Sequence, residues 1–262
     1  KDPTLQPSQK LSATRDRNRS FQAIYFPATK KLAQLGNDSI PSVDVSDDGR
    51  IALASSSVRY RIESMWGEGG DDLYLVDPAT GGARMIREKI SGQAQLSPDA
   101  RYVGFFDKGH WYSYQVATGK TVDLTGGMPN VSFSQETWDT PSTPADWGMA
   151  GWTKGDKSVL IYDRWDIWEF DPTGVKPAAM VTDSVGRNQH LVLRVVPLRR
   201  RARAGGGAGG GGGLGAFGGG GRADPIDPAE PLLLRAVDDE TKASGFYRDR
   251  LGAVQAPERI VM

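Results

Sequence analysis

Short runs of alternating apolar and polar residues, each closed by a turn of similar composition, recur along most of this chain. The clearest unit lies between residues 93 and 125. Ala94 and Leu96 lead into Ser97-Pro98-Asp99-Ala100-Arg101. Proline suits the second position of a tight turn, and aspartate accepts hydrogen bonds from the amides that follow. Residues 102–107 (YVGFFD) and 111–115 (WYSYQ) read as strands rich in β-branched and aromatic side chains. Val116-Ala117-Thr118-Gly119 turns the chain, Gly119 being suited to a positive φ, and residues 121–125 close the unit. The pattern predicts four short strands joined by tight turns.

The same grammar recurs on both sides. Upstream, Val43-Asp44-Val45 leads to Ser46-Asp47-Asp48-Gly49-Arg50, then to strands at 51–54 and 73–76 and the turn Asp77-Pro78-Ala79-Thr80-Gly81. Downstream, residues 149–152 lead to Thr153-Lys154-Gly155-Asp156-Lys157, then to strands at 158–163 and 167–170 and the turn Asp171-Pro172-Thr173-Gly174. A weaker unit follows Ile226-Asp227-Pro228, with Leu232-Leu233-Leu234 and Gly245-Phe246-Tyr247-Arg248. The hairpin glycines at 81, 119 and 174 are 38 and 55 residues apart. That brackets the ~40–50 residues of a four-stranded propeller blade, the longer gap being taken up by a Pro/Ser/Thr-rich loop over 126–146. A plain antiparallel sandwich would not require repeated turns at matching offsets. The expected fold is therefore all-β: an incomplete β-propeller with full blades near 40–88, 91–125 and 146–184 and partial blades at both ends. The expected organisation is an irregular lead-in over 1–20, blades over 21–198, a low-complexity insertion over 199–225 and a partial final blade over 226–262. An open arc exposes edge strands, so the chain is expected to be a piece of a longer protein.

Composition narrows the chemistry. The 262 residues carry 32 basic and 32 acidic side chains and no cysteine. Charge balance argues against binding nucleic acid or an anionic membrane through net charge. The absence of cysteine excludes a disulfide framework, a zinc–thiolate site and a thiol nucleophile. No apolar run approaches the ~18 residues of a spanning helix. Of 33 glycines, 13 fall between Gly205 and Gly221, after Arg199, Arg200, Arg201 and Arg203. These arginines are bunched, and Phe217 is the only aromatic in the tract, so the stacking platform of a nucleic-acid tail is missing.

Candidate binding residues are few. Glu68, Asp71 and Asp72 form an acidic loop after Trp66; it would suit a cation or a peptide amino terminus, or be a solvated blade loop. Trp138, Trp147, Trp152, Trp165 and Trp168 are concentrated in one stretch. Trp152 and Trp168 read as blade packing, whereas Trp138 and Trp147 border the long loop and are candidates to contact a ligand. Trp66, Glu68, Trp138 and Trp147 are thus the candidate substrate contacts. His110 and His190 read as hydrogen-bonded residues at strand ends rather than as a base or metal ligands. No catalytic residue, metal ligand or cofactor site is expected.

Ser97-Pro98-Asp99 followed by an aromatic strand, then by an Asp-Pro-x-Thr-Gly-like turn, resembles the TolB/WD40-like propeller repeats of the TolB and prolyl-oligopeptidase superfamilies. The stretch Trp138-Asp139-Thr140-Pro141-Ser142, Ala150-Gly151-Trp152-Thr153 and residues 159–168 (VLIYDRWDIW) resembles bacterial serine peptidases of the prolyl oligopeptidase (S9) family. So does Asp227-Pro228 with Pro231 to Leu234 and Lys242 to Tyr247. The resemblance covers roughly 21–187 and 226–250. It implies a propeller that restricts access to an α/β-hydrolase domain, contacts peptide substrate and contributes no catalytic residue itself. It also suggests an extracytoplasmic location. No Gly-x-Ser-x-Gly occurs in the sequence, so no nucleophile elbow is expected within it. A non-enzymatic, TolB-like scaffold that binds other proteins is the alternative.

Overall fold

The computed structural model describes residues 4–198, 200–202, 221–253 and 255–262. Helix α1 (Gln6–Arg17) opens the chain and is followed by the hairpin β1 (Ala23–Phe26) and β2 (Lys31–Gln34). The first four-stranded sheet is β3 (Ser42–Val45), β4 (Ala52–Ser56), β5 (Asp71–Val76) and β6 (Ala83–Ile90). The second is β7 (Ala94–Leu96), β8 (Tyr102–Asp107), β9 (His110–Gln115) and β10 (Thr121–Asp123), and the third is β11 (Met149–Trp152), β12 (Val159–Tyr162), β13 (Ile167–Phe170) and β14 (Ala179–Met180). After the short helix α2 (Val185–Gln189) comes β15 (Leu191–Val195), then the small hairpin β16 (Arg200–Ala202) and β17 (Gly221–Ala223). Strands β18 (Leu232–Asp238), β19 (Ser244–Asp249) and β20 (Glu258–Val261) join β15 in a fourth sheet. Every pairing between these strands is antiparallel, and each sheet is a meander. This is a β-propeller arc whose described sheets do not close into a ring.

The turn grammar has a common chemical basis. In three blades a hydroxyl residue accepts the backbone N–H five residues on, across the turn: Ser46 from Ile51 at 3.2 Å, Ser97 from Tyr102 at 3.0 Å, Thr153 from Ser158 at 2.9 Å. The reciprocal backbone bonds, Ser46 to Ile51, Ser97 to Tyr102 and Thr153 to Ser158, close each turn. At the other hairpin, Gly81, Gly119 and Gly174 take φ values of 74°, 75° and 70°, the left-handed conformation predicted for them.

The second and third blades bury both faces, so β8 and β12 are buried along their whole length, whereas β19 of the fourth alternates exposed and buried. In β8, Val103 and Phe105 pack toward the first blade, while Tyr102 and Phe106 pack toward the third. In β12, Val159 and Ile161 face the second blade, while Leu160 and Tyr162 face the fourth. The β1–β2 hairpin extends the arc, with Leu35 packed among Ala52, Ala54 and Val76. The central strands are the most covered and the last strand is the least: β4, β8 and β12 are almost wholly buried, and β20 is exposed along its length.

Two expectations are corrected. The lead-in is not irregular over 6–17, where Pro7 at the start, good helix formers and Arg15 and Arg17 in the last turn support α1. No residue of α1 is buried, so tertiary packing does not hold it. The final blade is not partial and does not begin at 226. It has four strands, and its first, β15, precedes the low-complexity tract. The insertion separates first from second strand and so hides the repeat. Arg199 and residues 203–220 lie outside the described residues; the expectations for the arginine cluster and Phe217 fall largely there. Among the described residues no helix is long and apolar enough to cross a membrane.

Candidate functional site

A groove of about 210 Å³ lies between the first and second blades. Strand β3 contributes Ser42 and Asp44, β5 contributes Asp71, and the approach to β7 contributes Gln93. Leu53, Leu73 and Ile90 form hydrocarbon walls. A third carboxylate touches the edge: Asp146 accepts a hydrogen bond from Gln93 Nε2 at 2.5 Å and lies against Gly92. Burial pushes the carboxyls of Asp71 and Asp146 above the usual range; Asp72 adds to the effect at Asp71, and the Gln93 bond opposes it at Asp146.

Two long loops lie near this groove in the chain, one ending at Asp71 and the other carrying Asp146. Residues 57–70 join β4 to β5 through two short 3-10 turns, Val58–Tyr60 and Glu63–Trp66. Residues 124–148 join β10 to β11. They meet where Gly67, at φ 82°, lies against the Pro141 carbonyl so closely that a Cβ would sit 2.2 Å from its oxygen. Glycine is required there on both counts.

The acidic loop is not one site. Asp72 is 0% exposed; it accepts hydrogen bonds from Tyr60 Oη at 2.6 Å, Arg59 Nη1 at 3.1 Å and the Lys89 amide at 3.1 Å. That carboxylate is committed to structure, and burial beside it pushes the Tyr60 hydroxyl up to about 12. Glu68 is exposed. Asp71 alone reaches the groove.

The four candidate contacts stay outside the groove lining. Trp66 is 77% exposed at the tip of its loop. Trp138 is half-buried and donates its indole N–H to the Ser142 carbonyl at 3.0 Å. Trp147 donates to Glu136 Oε2 at 3.1 Å and packs on the core between the third and fourth blades. Both rings therefore brace the 124–148 loop. Trp152 is buried, and Trp168 meets Phe133 edge-on.

The histidines lie in different blades. His110 starts β9, with Nδ1 3.5 Å from Thr125 Oγ1 and 3.8 Å from Asp123 Oδ1. His190 ends α2 rather than lying inside a strand; its ring stacks on Trp165 at 5.7 Å and its Nδ1 is 3.4 Å from Glu240. Among the described residues, no group of three His, Cys, Asp or Glu side chains could hold a metal ion.

Sequence reasoning missed the contributions of Asp44, Gln93 and Asp146. They come from strand β3, the approach to β7 and the long loop before β11, and no local spacing marks them.

A scan against protein-family models finds no match, and neither does a search of curated protein sequences. Solved structures do match. Dipeptidyl peptidase 4 from Porphyromonas gingivalis aligns at 13% identity and a TM-score of 0.50, covering 93% of this chain and 37% of that one. A prolyl endopeptidase aligns at 12% identity and a TM-score of 0.50, covering 93% and 33%. TolB from Acinetobacter baumannii aligns at 14% identity and a TM-score of 0.38, covering 92% and 50%. The chain thus spans half of that TolB and about a third of the peptidases. At these identities the similarity is one of fold: the chain is built as a β-propeller, like the propeller regions of these proteins.

Proposed function

We propose that this chain is the propeller part of a serine peptidase of the prolyl oligopeptidase type. In this reading it gates access and contacts peptide substrate, while an α/β-hydrolase domain outside these residues performs Ser-His-Asp hydrolysis. There the serine attacks the scissile carbonyl, the histidine carries the proton, the aspartate orients it, and backbone amides hold the oxyanion. The observation that carries the reading is the stretch from Trp138 to Trp168. Its residues resemble that family, and they fold as the third blade and the loop before it. The groove between the first two blades offers such a propeller a place to contact one residue of a peptide.

The second reading is a non-enzymatic propeller that binds other proteins as a scaffold. The two separate on the complete gene product. Under the peptidase reading a serine-directed fluorophosphonate labels it stoichiometrically at a residue outside 1–262, and the 262-residue chain alone stays unlabelled. A gene product with no labelled serine and no peptide hydrolysis would leave the scaffold reading.

A further inference from the structure

We propose that the groove between the first two blades is a subsite for the side chain of a lysine or arginine in a bound peptide. The inference rests on the reading of the chain as a peptide-contacting propeller and names the chemistry that its groove selects.

The first argument is charge. Asp71 lines the groove, and among the described residues no lysine or arginine does. The nearby cations are already engaged. Lys89 holds its ammonium 2.5 Å from Glu63 Oε2, and Arg59 lies between Asp72 and Glu88 at 3.1 and 2.8 Å. Asp71 is thus carried in a partly buried place, where Asp72 beside it adds repulsion. A carboxylate so placed is stabilised by a cation brought from outside.

The second argument is size. At about 210 Å³ the groove is smaller than the ~300–1,000 Å³ of ordinary small-molecule pockets. It has room for one side chain. The third argument is the lining. Leu53, Leu73 and Ile90 put hydrocarbon into the same lining as the carboxylates, which suits a methylene stem ending in a charged head. A peptide amino terminus carries the charge without the stem. An acidic or phosphorylated residue would meet two carboxylates.

The test uses the 262-residue chain and fluorescein-labelled hexapeptides, acetylated and amidated at their ends, with lysine, arginine or norleucine at one position. Binding is read by fluorescence anisotropy at pH 7.5. The lysine and arginine peptides are expected to bind at least about tenfold more tightly than the norleucine peptide, and to weaken in 0.5 M salt. Asp71→Asn should bring the lysine peptide to within about twofold of the norleucine one, while Asp71→Glu should restore most of the preference. Circular dichroism checks that both variants are folded. Equal affinities for lysine and norleucine, no binding of any peptide, or an undiminished preference in Asp71→Asn would overturn the proposal. So would a norleucine peptide with a free amino terminus that binds as tightly as the lysine peptide, since the groove would then read a terminus. Fluorophosphonate labelling of the complete gene product tests the peptidase reading separately, so either can fail while the other stands.

Discussion

Lys242 occupies the hairpin position that glycine fills in the other three blades. Its amide donates to the Asp238 carbonyl, as Gly81 does to Asp77 and Gly119 to Gln115, and its φ is 61°. A left-handed conformation costs a side-chain-bearing residue roughly 1–2 kcal/mol, and the exposed bonds from its ammonium to Asp239 return little. Lys242→Gly is therefore expected to stabilise the chain by about 1 kcal/mol in urea unfolding. Asp249 is a different kind of residue-scale strain. It is 5% exposed, its Oδ1 accepts only the neighbouring Arg250 amide at 2.7 Å, and its Oδ2 has no hydrogen-bond partner. Burial, with Asp183 nearby, pushes its carboxyl up to about 6. The folded state holds that proton to about pH 6 and the unfolded state only to about 4. Stability from this group is complete below pH 4, falls as the pH rises through that window, and is lost above 6. The loss is up to roughly 3 kcal/mol. Asp249→Asn should raise the unfolding midpoint at pH 8 and lose that advantage by pH 4. An equal shift at both pH values would refute the assignment.

At the scale of elements, one turn clamps the next blade. Asp156, in the turn between β11 and β12, is buried and accepts hydrogen bonds from Ser97 Oγ at 2.5 Å and from the amides of Asp99 and Arg101 at 3.1 and 3.2 Å. The Ser-Pro-Asp turn of the second blade is thus held by a carboxylate of the third. Its φ of 53° is left-handed, so the backbone accepts strain to place it. Asp156→Ala removes all three bonds to a buried carboxylate, and should cost about 2–4 kcal/mol in chemical denaturation. A cost below 0.5 kcal/mol would mean that the clamp is incidental.

At the scale of the molecule, the prediction concerns layers. Leu160 faces the fourth blade and Ile161 the second, and each is fully buried. In a sheet with one wet face, alternate residues would differ sharply in cost. Here Leu160→Ala and Ile161→Ala should each cost about 2–5 kcal/mol in equilibrium unfolding. A negligible cost for either would contradict stacked blades. The far face of the fourth blade is more open, with Phe246 41% exposed.

The repeated turns and the propeller they imply were legible in the residues because they rest on local chemistry. A serine or threonine that caps an amide five residues on, and a glycine at positive φ, act within one hairpin. The final blade was not fully legible: the insertion parts β15 from β18, and Lys242 replaces the expected glycine. The acidic loop was visible as sequence, but its division was not. Asp71 and Asp72 alternate across β5, one reaching the groove and the other the buried contact with Tyr60 and Arg59. The groove itself belongs wholly to tertiary structure. Asp44 and Asp71 come to one sheet through pairing across β4, and Gln93 joins them only when the second blade packs on the first, an arrangement that leaves no spacing in the chain.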